Sequence, residues 1–206
     1  MIIITLAAIN KKMGVLSIRK NNDCEIAIWE ITESLDKLNQ LGACITTAGI
    51  NSEKRKKEWI SSRLLLKEIN PKHSISYNES GSPKLNNKHN ISISHSKEFV
   101  AIIISQKNVG IDIEKISEKS IKVSSKFISE DNIKNLTTEK ATLIWCCKEA
   151  IFKWHEKGGI DFIADIKIYP FKKMEEGKIT ADFRGIPLIL NYQKINNHYL
   201  VYVCSD

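Results

Sequence analysis

A chain of 206 residues, 42% hydrophobic and 27% charged, can bury one substantial core or two small ones, and no low-complexity tract argues against a globular fold. The formal charge of +7 and pI near 9.1 favour anionic partners, whether nucleic acid, a phosphorylated cofactor or an acidic protein, without choosing among them. Five cysteines, Cys24, Cys44, Cys146, Cys147 and Cys204, show neither metal-ligand spacing nor the even count of a disulfide framework, which suits a reducing compartment.

Residues 2–9, IIITLAAI, lack the positive n-region of a signal peptide and are too short to span a bilayer, so a cytoplasmic protein with no membrane partner is expected. With Met13 a second possible start, residues 1–12 read as an extension or a short edge strand. Strand character follows at 24–31, then a short helix opened by Thr32-Glu33-Ser34 and closed at Gly42. Ser52 caps a helix reaching about Ile69, where Asn70-Pro71 stops it. Trp59, Ile60, Leu64 and Leu65 form its core face, while Lys54, Arg55, Lys56, Lys57 and Arg63 supply positive charge.

A strand at 74–77 leads into the turn Glu79-Ser80-Gly81-Ser82-Pro83-Lys84-Leu85, and strands at 90–94 and 99–105 form a hairpin around His95-Ser96-Lys97-Glu98. The next strand, Val109-Gly110-Ile111-Asp112-Ile113-Glu114, alternates apolar and polar positions. Period two therefore sends both acids out of one face, with Cα atoms ~6 to 7 Å apart, close enough to converge on one divalent cation.

Small helices are read over 121–136, and then one long helix capped by Thr137 or Thr138 and stopped by Gly158-Gly159. Ile144, Cys147, Ile151 and Trp154 form its core stripe, but Trp145 and Phe152 make it apolar nearly all round, so it is expected to be buried. Charges at Glu149 and Lys153 on such a helix require partners. Strands near 162–169, 178–183, 188–192 and 199–204 complete the chain, with Tyr169-Pro170-Phe171 and Ile186-Pro187 as strand ends or turns. His73, His89, His155 and His198 read as surface or structural.

Two stretches, VGIDIE at 109–114 and WCCKEAIFK at 145–153, resemble the signature of the 4'-phosphopantetheinyl transferase superfamily. That signature is a V/I-G-I/V-D-I/V-E strand followed by F/W-x-x-K-E-A/S-x-x-K. The likeness extends to Asn90-Ile91-Ser92-Ile93-Ser94-His95-Ser96, to the basic helix 52–66, and to the pair Lys126-Phe127. It implies an α+β protein of the single-chain, surfactin-synthetase-activating type: two pseudo-symmetric halves, 1–107 and 108–206, with the active site between them.

The activity it implies is transfer of the 4'-phosphopantetheine group from coenzyme A to a serine of an apo acyl or peptidyl carrier protein, releasing adenosine 3',5'-bisphosphate. Asp112, Glu114 and Glu149 would hold Mg²⁺. Glu149 and Lys153 would be catalytic, and the base is either Glu149 or a metal-bound water. Arg55, Arg63, Lys84, Ser94, His95, Lys148 and Lys153 would bind coenzyme A.

The turn departs from the family's G-K/R-P: Ser82 holds the basic position and Lys84 follows the proline, so the charge comes one step later or the contact is absent. A monomer is implied. A Mg²⁺-dependent phosphohydrolase or nuclease is the alternative. A basic nucleic-acid binding module is disfavoured because no aromatic residues interleave Lys54 to Lys57, and nucleic acid is not expected as a partner.

Overall fold

The computed structural model describes residues 14–129 and 136–206; the expectation for residues 1–12 and the end of the small-helix region fall outside them. The fold is α+β, with two antiparallel sheets that divide the chain at residues 106–107. The first comprises β1 (Val15–Lys20), β2 (Cys24–Glu30), β5 (Asn90–His95) and β6 (Phe99–Ser105) in the order β1-β2-β6-β5. The short α1 (Leu35–Leu41) and the long α2 (Glu53–Ile69) cover one face of it. Strands β3 (Ile75–Tyr77) and β4 (Pro83–Leu85) form a small separate ribbon across the Glu79–Ser82 turn.

The second sheet runs β7-β11-β10-β9-β8, from β7 (Asn108–Lys115), β8 (Ile166–Ile168), β9 (Glu176–Phe183), β10 (Ile186–Ile195) and β11 (His198–Ser205). Between β7 and β8 lie α3 (Glu118–Lys122), a 3-10 turn at Ser124–Lys126 and the long α4 (Thr138–His155). Pro187, read as a turn, is the second residue of β10, an early strand position where a missing N–H is tolerated. Strand β8 is shorter than expected because Asp161 folds the preceding residues into a turn, its Oδ1 accepting from the amides of Ile163 and Ala164 at 2.8 and 2.9 Å.

The helix caps follow the sequence. Ser52 accepts from the Arg55 amide and Thr137 from the Lys140 amide. Helix α4 ends earlier than Gly158, on Glu156 in the left-handed conformation at φ 60°. That residue's carboxylate is held at 2.6 Å by Lys84 of the first half.

The two sheets meet along a seam of apolar side chains: Cys24, Ile26, Ile28, Phe99, Ala101 and Ile103 pack against Val109, Ile111, Ile113 and Leu200. At this seam β5 lies alongside β7 without a backbone ladder. Ser92 Oγ accepts from the Ile111 amide at 3.1 Å and Ser94 Oγ from the Ile113 amide at 3.2 Å, satisfying buried N–H groups that would otherwise be orphaned. No helix among the described residues is long and apolar enough to cross a membrane.

Candidate active site

The position of Gly110 sets the geometry of the site. A Cβ there would stand 1.9 Å from the Ala150 carbonyl oxygen and 2.7 Å from the Trp154 amide nitrogen, so only glycine lets α4 lie directly on β7. That contact brings Glu149 and Lys153 of the helix to the face of the strand that carries Asp112 and Glu114. The chemical residues of the two sequence stretches thus come together over one backbone-to-backbone contact.

Asp112 is 3% exposed, deep enough that its carboxylate must be compensated. Oδ1 accepts from Lys153 Nζ at 2.7 Å and from Ser94 Oγ at 2.8 Å. Oδ2 is buried and has no hydrogen-bond partner among the described residues. Glu114 Oε1 accepts from the Trp145 indole at 3.2 Å. Burial, with the negative charge of Asp112 added, raises the Glu114 carboxyl above its ordinary range.

The same two causes, burial first and Asp112 second, push Glu149 up to about 7. Burial works against the Lys153 charge, but Asp112 beside it outweighs that and holds the ammonium above the usual lysine range.

The three acids feel one another's charge, yet no three His, Cys, Asp or Glu side chains among the described residues stand together as ligands of a single ion. Asp112 is drawn to Lys153 and Ser94, and Glu114 to Trp145. The donor set nevertheless suits a hard divalent cation: all oxygen, mutually repelling, and including one buried carboxylate oxygen with nothing bound to it.

A cleft of about 780 Å³ opens between the two halves, with Lys153 as the member of the acid cluster that reaches it. Helix α2 and β5 form its first wall. Glu58, 2% exposed, draws in Arg55 Nη1 and His95 Nδ1, both 3.2 Å from its Oε2. Burial keeps the His95 imidazole below its ordinary pKa; Glu58 opposes this and Arg55 adds to it.

Further along, the Arg63 guanidinium lies 3.1 Å from the Trp59 ring centroid and 5.7 Å from that of Tyr77, and donates to the Tyr77 hydroxyl at 3.2 Å. Trp59 is therefore a cleft residue rather than a core one. The turn residues Ser80 to Pro83 line the rim and Phe152 lines the opposite wall.

Of the residues expected to bind a cofactor, Arg55, Arg63, His95 and Lys153 line the cleft. Lys84 bridges the two halves to Glu156 instead. The Ser94 hydroxyl, expected at a phosphate, is turned inward, where it serves Ile113, Asp112 and Lys153.

Lys148 is displaced furthest from its expected place. One residue along an α-helix is a rotation of ~100°, so beside inward-facing Glu149 it points away from the acids. It is 5% exposed, and its Nζ donates to the carbonyls of Phe162 and Ile166. Burial lowers it to about 8. Lys148→Met should cost about 1 to 3 kcal/mol in urea unfolding, since two buried carbonyls lose their donor; an unchanged unfolding midpoint would mean that these contacts are not made.

Sequence reading did not single out Glu58, Trp59 or Phe152. The signals were the i,i+3 pair Arg55 and Glu58 and the i,i+4 pair Trp59 and Arg63, which place each pair on one helix face.

Residues 108–204 match the 4'-phosphopantetheinyl transferase superfamily. The matched segment is just under half of the chain. The chain is also 36% identical over 88 residues, 39% of its length, to the 4'-phosphopantetheinyl transferase gsp of Aneurinibacillus migulanus. That alignment spans 37% of the relative. The matched segment contains Asp112, Glu114, Glu149 and Lys153; Arg55, Arg63 and His95 lie outside it and line the cleft that Lys153 reaches.

Proposed function

We propose that this chain transfers the 4'-phosphopantetheine group of coenzyme A to a serine of an apo acyl or peptidyl carrier protein and releases adenosine 3',5'-bisphosphate. The observation that carries the reading is the meeting of Lys153 with buried Asp112 at the end of a cleft whose other wall presents Arg55, His95 and Arg63. A diphosphate with a nucleotide attached needs such a row of donors, ending at a cluster of acids.

In this reading Arg55 and His95 bind phosphate oxygens in charge-assisted contacts, and Arg63, stacked on Trp59 and bonded to the Tyr77 hydroxyl, takes the ribose phosphate. Asp112 holds Lys153 in place, and Lys153 stabilises or protonates the departing adenosine bisphosphate. Glu149, with a carboxyl tuned to about 7, accepts the serine proton directly or through a water. The serine oxygen forms a bond to phosphorus as the bridging P–O bond to the nucleotide breaks.

Asp112, Glu149 and Glu114 would hold Mg²⁺, which supplies neutralisation of the diphosphate charge when bound. Residues 1–107 and 108–206 act as the two halves of a cytoplasmic monomer in this reading.

Incubation with coenzyme A, Mg²⁺ and a panel of apo carrier proteins should give a carrier bearing the added arm by mass spectrometry. Cleavage of coenzyme A without any carrier would favour a phosphohydrolase instead. Arg63→Ala should raise the KM for coenzyme A by about tenfold, the worth of one charge-assisted contact. The penalty should vanish with the substrate lacking the 3'-phosphate; an equal penalty with both substrates would remove Arg63 from that phosphate.

A further inference from the structure

Two of the free cysteines lie outside the site and meet across the seam between the sheets. On β2, Cys24, Ile26 and Ile28 alternate onto the seam face, and on β11 so do Leu200, Tyr202 and Cys204. The period of two therefore aims both thiols into the same gap from opposite halves of the chain.

Their neighbours fix the place. Cys24 stands opposite Ser105 in the β2–β6 ladder, and Cys204 Sγ lies 3.5 Å from Ser105 Oγ and 3.8 Å from the Asp23 carbonyl oxygen. Both thiols thus flank the Ser105 side chain within one seam cluster. Cys24 is 6% exposed and Cys204 is half-buried, so one thiol is reachable from solvent and the other stands behind it.

We propose that Cys204 and Cys24 are an attacking and a resolving thiol that close, by exchange with a low-molecular-weight disulfide, into a reversible cross-link between the two halves of the molecule. The Cys204 thiolate attacks one sulfur of the small disulfide, forming a mixed disulfide and expelling one small thiolate. Cys24 then loses its proton, attacks the Cys204 sulfur and expels the second. The protein gives up two electrons and the small disulfide gains them.

The division of roles follows from the difference in exposure. Cys24 draws the neighbouring Cys204 thiol below its ordinary range, aided by Ser105 and by Lys107. Cys204, with burial, raises Cys24. A low-lying, reachable thiolate beside a protonated thiol is the arrangement that exchange requires.

The test uses the whole protein incubated with oxidised glutathione, digested without reduction and read by mass spectrometry. A peptide joining Cys24 to Cys204, abolished by dithiothreitol, is expected, with Cys44 carrying at most a glutathione of its own. The cross-linked protein should show a Tm about 5 to 10 °C higher, because a link spanning most of the chain restricts the unfolded state.

Cys24→Ser should trap glutathione on Cys204. Recovery of Cys24 and Cys204 unlinked from the wild-type protein, or glutathione accumulating on Cys204 without passing to Cys24, would overturn the proposal.

Discussion

Gly110→Ala should cost about 3 kcal/mol or more, at or beyond the upper end for overpacking, and the largest loss of stability expected from any single methyl group in this chain. The added carbon would lie 1.9 Å from a main-chain oxygen and 2.7 Å from a main-chain nitrogen of α4, neither of which can rotate away. Relief requires the helix to lift from β7, separating Glu149 and Lys153 from Asp112. Urea unfolding of the variant should show a lower midpoint, and residual folded protein should have lost transfer activity. A midpoint within 0.5 kcal/mol of the wild type would mean that helix and strand are not in this contact.

Asp112→Asn should reduce transfer to carrier protein at least a hundredfold, on the order expected for loss of a group that organises charge at the reacting centre. Shape is kept, but Lys153 loses the anion that holds it, and the oxygen that has no partner becomes part of a neutral amide. A second measurement is independent of turnover. Mg²⁺ at about a hundred times its dissociation constant should raise the wild-type Tm by about 5 to 10 °C, and the shift should disappear in Asp112→Asn. A variant that keeps near-normal turnover, or an equal shift in both proteins, would remove Asp112 from the site.

The parts of this fold that could be read from the sequence are those in which local chemistry decides. Ser52 and Thr137 begin helices because a side-chain oxygen answers an amide three residues on, and Asn70-Pro71 ends one. Strand β1 escaped because a register shift between Val15 and Ser17 breaks the alternation by which strands are recognised. Helix α4 ends ahead of the glycines because Glu156 already adopts the left-handed conformation, which Gly158 and Gly159 then repeat.

The same division runs through the site. Gly110, Asp112, Glu114, Glu149 and Lys153 sit in two short stretches and could be found there. Glu58 could not, and Ser94 was read for another role, since what they do depends on partners 37 and 18 residues away along the chain, His95 reaching back to one and Asp112 to the other. Lys148 shows the limit of motif reading: its neighbour's role says nothing about a side chain a hundred degrees around the helix.

The hydroxyl-bridged join of β5 to β7 restricts how the two walls of the cleft can shift. Sliding by one residue would offer Ile91 and Ile93 where Ser92 and Ser94 now stand, stranding two amides. The next offset that presents a serine lies two residues on, roughly 7 Å away. Movement along this line is ratcheted rather than continuous, so opening and closing for a bulky partner must come from rotation about the join.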